Sequence, residues 1–170
     1  IPLWGSDNEW GQTNVYGSTI RIDGGDDILP INAPLLVGTS SVGNSIFDLN
    51  GRKQQVAGIS QVAGTATTNF ITNNGAADSV LVLDSTVDRT FIGALTDGPT
   101  NSLALVKQGS YMQTLSGISS YTGETTIHDG TLFITGSIAF STTTVEGGTL
   151  SGNGGTVGPV NVVNGGTLAA

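Results

Sequence analysis

Carboxylate chemistry in this chain would have to sit at Asp23-Gly24-Gly25-Asp26-Asp27, the one tight cluster of acidic side chains. Glycoside hydrolysis uses two carboxyls roughly 5 to 9.5 Å apart, and a calcium ion takes about 6 to 8 oxygens. The turn could supply part of either set, but a solvated turn is the simpler reading. His128 is the only histidine, which excludes a multi-histidine metal site within the chain. Its counterparts eighteen and thirty-six residues on, Glu146 and Asn164, mark an outward polar ladder rather than a Ser-His-Asp triad. Trp4, Trp10 and Tyr16 could stack on sugar rings, although capping the end of a core is the favoured use. Gly152-Asn153-Gly154-Gly155 lacks both the Lys-Ser/Thr ending of a phosphate loop and the repeated aspartates of a calcium-binding nonapeptide. No catalytic, cofactor-binding or metal-binding residue is therefore assigned, no cofactor is expected, and the chain is read as non-enzymatic.

Any such residues would have to be positioned by short strands. Charged residues make up 11% of the 170, against about 25% in ordinary soluble domains, while Gly, Thr, Ser and Asn abound. A formal net charge of −8 with only Arg21, Arg52, Lys53, Arg89 and Lys107 as cations leaves too little to neutralise a phosphate backbone, so nucleic acid is excluded as a partner. The absence of cysteine removes disulfides and thiolate metal sites. No apolar run approaches the roughly 18 residues of a membrane span. An acidic, lysine-poor, cysteine-free composition fits bacterial surface proteins.

The elements themselves announce a repeat. Gly130-Thr131-Leu132, Gly148-Thr149-Leu150 and Gly166-Thr167-Leu168 recur on an eighteen-residue pitch, with Ile127, Val145 and Val163 three residues before each glycine. A unit this short cannot bury its own apolar residues and must stack on its copies. The pattern predicts columns Ile127/Val145/Val163 and Leu132/Leu150/Leu168, with Gly147-Gly148 and Gly165-Gly166 supplying positive φ at corners. Upstream, strands are expected at Thr19–Ile22, Leu35–Val37, Phe47–Leu49, Gln55–Ile59, Asn69–Thr72, Ser79–Leu83, Phe91–Leu95 and Leu103–Val106. Residues 1–17 read as an irregular cap or connecting segment and 18–170 as the solenoid, with the clearest repeats at 103–170.

Several phrases carry a resemblance. Leu103-Ala104-Leu105-Val106-Lys107-Gln108-Gly109, Thr114-Leu115-Ser116-Gly117, Tyr121-Thr122-Gly123-Glu124-Thr125-Thr126-Ile127 and Asp129-Gly130-Thr131-Leu132 resemble the passenger-associated repeat of bacterial autotransporters. Leu49-Asn50-Gly51, Val56-Ala57-Gly58-Ile59, Ile71-Thr72-Asn73-Asn74-Gly75 and Leu95-Thr96-Asp97-Gly98 resemble the segment that commonly precedes it. The chain departs from the family pattern at residues 109–113, where Tyr111 and Gln113 stand at positions of a second glycine and a leucine. That departure bears on local strand register.

The resemblance implies a right-handed, single-stranded parallel β-helix, a handedness that parallel crossovers also favour. It further implies a surface-exposed or secreted passenger or stalk segment, carried across the outer membrane by a C-terminal β-barrel and aiding folding in the manner of an autochaperone. Ile1-Pro2-Leu3-Trp4 lacks the basic flank of a signal peptide; no barrel strands are present and Thr167–Ala170 is still in repeat register, from which a segment of a longer protein is expected. Expected partners are adjoining coils, the barrel, and a host or cell-surface ligand. Alternatives are a self-assembling extracellular filament, joined end to end through open strand edges, and a glycan-binding or glycan-cleaving β-helix.

Overall fold

Threonine, valine, isoleucine and leucine in runs of three to six, punctuated by Gly, Asn and Asp, favour short extended segments with a turn after each. In the computed structural model, which describes residues 10–38, 44–62, 69–163 and 165–169, these segments wind into a parallel β-solenoid of about seven turns, with no helix among the described residues. At about 4.8 Å per turn the stack is about 34 Å long.

The first coil holds β1 (Thr13–Val15) and β2 (Thr19–Arg21), and the second β3 (Leu35–Val37), β4 (Ile46–Asp48) and β5 (Lys53–Val56). The third holds β6 (Ile59–Ser60), β7 (Phe70–Thr72) and β8 (Ser79–Asp84), and the fourth β9 (Arg89–Phe91), β10 (Ala94–Thr96) and β11 (Leu103–Gln108). The fifth contributes β12 (Met112–Leu115) and β13 (Thr125–Ile127), and the sixth β14 (Thr131–Ile134), β15 (Ser137–Ile138) and β16 (Thr143–Val145). The seventh contributes β17 (Thr149–Gly152), β18 (Thr156–Val157) and β19 (Val160–Val162), before β20 (Thr167–Ala169).

Three faces result. One runs β1-β3-β6 and, after a break, β9-β12-β14-β17-β20. The second runs β2-β4-β7-β10 and resumes as β15-β18, while the third is the unbroken ladder β5-β8-β11-β13-β16-β19. Between β10 and β15, Leu95 N donates to Ser119 Oγ at 3.1 Å and Ser120 N to Leu95 O at 3.0 Å, which carries the second face through the fifth coil. Inward residues of all three faces form one core, from Val15 and Leu35 through Phe47, Leu81 and Phe91 to Ile127, Leu132 and Val145. Full burial of such a side chain contributes about 1.5–3 kcal/mol.

Coil length falls along the chain. Stacked residues lie 27 apart at Thr19/Ile46 and Lys53/Val80, 24 apart at Ser79/Leu103, 18 apart at Leu132/Leu150/Leu168, and 17 apart at Thr143/Val160. The leucine column is as expected, but the valine column is corrected. Val145 pairs with Val162 rather than Val163, because the coil carrying Val160 is one residue short. Two expected strands are each divided by a corner: Gln55–Ile59 breaks between β5 and β6 at Gly58, whose φ is +98°, and Phe91–Leu95 breaks between β9 and β10. β1 lies inside the segment 1–17 expected to be irregular, and it pairs with β3 in parallel.

The expected role of the repeat glycines is also corrected. Gly165 does take positive φ, at +92°, whereas Gly147, Gly148 and Gly166 do not. Gly148 is required by closeness: a Cβ there would lie 2.7 Å from Ile127 Cγ2 and 2.8 Å from Gly130 O on the coil beneath.

Candidate functional site

The acidic turn is built into the ladder. Asp26 Oδ1 accepts from Lys53 N at 3.0 Å, and Asp27 Oδ1 from Gln55 N at 2.6 Å, while Asp27 N donates to Lys53 O at 2.9 Å. The carboxylates thus take the place of backbone carbonyls under β5, where the third face has no strand of its own in the first coil. Asp23 instead pairs with Arg21, Nε to Oδ1 at 2.8 Å, and Lys53 Nζ lies 3.6 Å from Asp27 Oδ2. Among the described residues no group of three or more His, Cys, Asp or Glu is arranged to hold a metal.

His128 and Glu146 stand on adjacent coils, with Nδ1 2.9 Å from Oε2 and both side chains about half exposed. This is the outward ladder read from their spacing; Asn164 lies outside the described residues. Of the three N-terminal aromatics, Trp10 packs against the core and donates Nε1–H to Thr13 Oγ1 at 2.7 Å, Tyr16 is exposed, and Trp4 lies outside the described residues. Gly152-Asn153-Gly154-Gly155 is the corner between β17 and β18.

The side chains that organise the stack most closely are buried and polar. Gln113, fully buried on β12, accepts from Ile59 N at 3.0 Å and donates to Ile59 O at 2.9 Å. Its carboxamide behaves as a peptide unit, and it does so at the break between β6 and β9, where no strand ladder joins the two halves of the first face. Arg89 supports the same junction by donating Nε–H to Ala57 O at 3.0 Å, and burial there lowers its pKa from the ordinary value. Gln54, also fully buried, repeats the device: Oε1 accepts from Leu29 N at 3.0 Å and Nε2 donates to Leu29 O at 3.1 Å. Each ladder end thereby receives the donor and acceptor that a buried backbone needs.

Asn73 binds three coils together. Its Oδ1 accepts from Gly51 N at 2.8 Å and Gly75 N at 3.1 Å, and its Nδ2 donates to Ala77 O and Ser102 O, both at 2.8 Å. Farther on, Tyr121 is wholly buried with its hydroxyl 2.6 Å from Thr125 Oγ1, which lies 2.8 Å from Ser141 Oγ, and Ser141 Oγ donates to Gly123 O at 2.7 Å. Burial pushes the phenol up to about 12, although the hydrogen bonds to Thr125 and Ser141 pull the other way.

Lys107 is the least expected of these groups. It points inward from β11, in the same parity as Leu103 and Leu105, and is fully buried. Its Nζ donates to Gln108 O at 2.7 Å, Gly109 O at 2.6 Å and Asp129 O at 3.3 Å. Burial lowers its pKa to about 8, against the opposing pull of Asp129 and Asp84.

None of these groups faces an open cleft, and their common effect is to tie one coil to another. No curated protein and no solved structure matches the chain. Residues 105–134, which hold Lys107, Gln113 and Tyr121, match the passenger-associated-transport-repeat family, and this match together with the parallel solenoid fits an autotransporter passenger segment.

Proposed function

We propose that the chain is a non-enzymatic stalk segment of an exported bacterial passenger, exposed at the cell surface or released, whose later coils fold first and template the earlier ones. The observation that carries this reading is the shortening of the coils after residue 103. There, coils of 17 to 20 residues replace coils of 22 to 27, and loop closure costs less in a shorter coil. Lys107, Tyr121, Thr125 and Ser141 then fasten the fourth, fifth and sixth coils to one another. In a longer protein such a segment would present adhesive or effector regions to a host or cell-surface ligand, beside a C-terminal outer-membrane barrel.

Pulse-labelled hydrogen exchange during refolding of the chain tests the folding order. Amides of β11 to β16 are expected to gain protection before those of β1 to β8. Earlier protection of the N-terminal coils would refute the templating role, as would unchanged folding and secretion of the parent protein carrying Leu150→Asp.

A further inference from the structure

The corner that follows β11 and the corner that follows β13 stack on successive coils, with Gly109 at φ +75° and Gly130 at φ +63°. Among the described residues no backbone N–H reaches Gly109 O or Asp129 O, so neither carbonyl is served by the ladder. Both are served by Lys107 Nζ, which also shares Gln108 O with Ser85 N. No carboxylate pairs with this ammonium; the three ion pairs of the described residues lie elsewhere. The ammonium's hydrogen bonds go to peptide oxygens alone, three acceptors for three N–H donors, while the Asp129 and Asp84 carboxylates favour its charge from beyond contact. Gly130 keeps the space open, since a Cβ there would stand 2.8 Å from Nζ. A divalent ion would find about half of the 6 to 8 oxygens that calcium takes.

We propose that the carbonyls of Gln108, Gly109 and Asp129 form a primary-ammonium site, filled in the native chain by its own Lys107 and able to accept a free alkylammonium ion when that side chain is removed. The site joins the fourth coil to the fifth, so its occupancy decides whether those coils stay in register. The role goes beyond the stalk function and does not depend on it.

The test uses the full chain. Lys107→Ala removes Cγ, Cδ, Cε and Nζ, the heavy atoms of n-propylammonium, and leaves a buried cavity of that shape; buried cavities do admit small ligands. The variant should melt about 5 to 15 °C below the native chain. Added n-propylammonium chloride should restore much of that loss in a saturable way, whereas n-propanol and sodium chloride at equal concentrations should not. Lys107→Met refills the stem without donors and should remain destabilised. If Lys107→Ala does not fold, refolding yield with n-propylammonium against n-propanol gives the same comparison. Equal rescue by the alcohol, no rescue by the amine, or a Lys107→Met chain as stable as the native one would each overturn the proposal.

Discussion

Replacing Gln113 by leucine sets two arguments against each other. Leucine is the residue that the resembling family carries at this position, and consensus substitutions commonly stabilise by about 0.5–2 kcal/mol. The geometry requires the opposite. Without the carboxamide, Ile59 N–H and C=O are both buried and unpaired, at about 1–3 kcal/mol each. Leucine returns part of this, because its full burial contributes about 1.5–3 kcal/mol. The net expectation is a loss of about 2 kcal/mol, or about 4 to 8 °C in melting temperature for a chain of this size. Urea denaturation followed by circular dichroism would read it as a lower midpoint with an unchanged slope. Gln113→Glu adds a second handle. Its carboxyl can replace both hydrogen bonds only when protonated, and burial raises its folded pKa, so the variant's stability should be greatest in acid and fall as pH rises through that pKa. A Gln113→Leu chain that is as stable as the native one, or more so, would refute the peptide-surrogate reasoning.

The remaining expectations concern pH, corners and metal. Lys107 titrates at about 8 in the fold against 10.5 ordinarily, so the unfolded chain holds more protons across that window and this group's contribution to stability rises with pH. Tyr121 runs the other way: with a folded pKa of about 12 against 10.0, its contribution is full below about pH 10 and lost as pH rises toward 12. Melting temperature should climb between pH 8 and 10 and then fall, Lys107→Met abolishing the climb and Tyr121→Phe the fall attributable to this phenol. Gly148→Ala should cost about 1–3 kcal/mol through overpacking against Ile127 and Gly130, while Gly11→Ala, with nothing within 4 Å, should be neutral in the same melting assay. Asp27→Ala orphans Gln55 N and should cost about 1–2 kcal/mol by denaturant titration, and calcium or a chelator should leave the native melt unmoved because the carboxylates already serve backbone amides.

The fold was legible because Gly-Thr-Leu at 130, 148 and 166 repeats at the true coil length, and the leucines do stack. Coil boundaries before residue 100 were not, because extra chain is inserted at one corner: residues 38–45 separate β3 from β4 and 61–69 separate β6 from β7, whereas β9 and β10 are two residues apart. Six- and seven-residue differences between corners shift the strands within each coil, so no phrase repeats there even though stacked residues keep a spacing of 24 at Leu35/Ile59, Ile46/Phe70, Phe70/Ala94 and Ser79/Leu103. The one-residue slip from Val163 to Val162 was invisible for a related reason, since the inward alternation Val160/Val162 competes with the phrase spacing. The buried polar groups are marked in the strand alternation. In Leu103-Ala104-Leu105-Val106-Lys107-Gln108 strict alternation puts Lys107 on the leucine face, and the same parity turns Gln54 inward beside Val56. Composition argues against a buried lysine or glutamine, and only the unpaired carbonyls and broken ladders that these side chains meet explain why the parity prevails. Tyr111 and Gln113, where the chain departs from the family pattern, do not disturb register: β12 pairs evenly with β9 and β14.

The shrinking coil has a consequence for reach. Each turn advances the axis by the strand spacing of about 4.8 Å whatever its circumference, so an early coil spends 22 to 27 residues on that step and a late one spends 17 to 20. Girth and length are therefore set independently. Added residues at the corner between the first and second faces would widen a coil and leave the reach of the rod unchanged. One further eighteen-residue phrase would lengthen the rod by a fixed increment, which makes the phrase the unit in which distance from an anchoring surface would be counted.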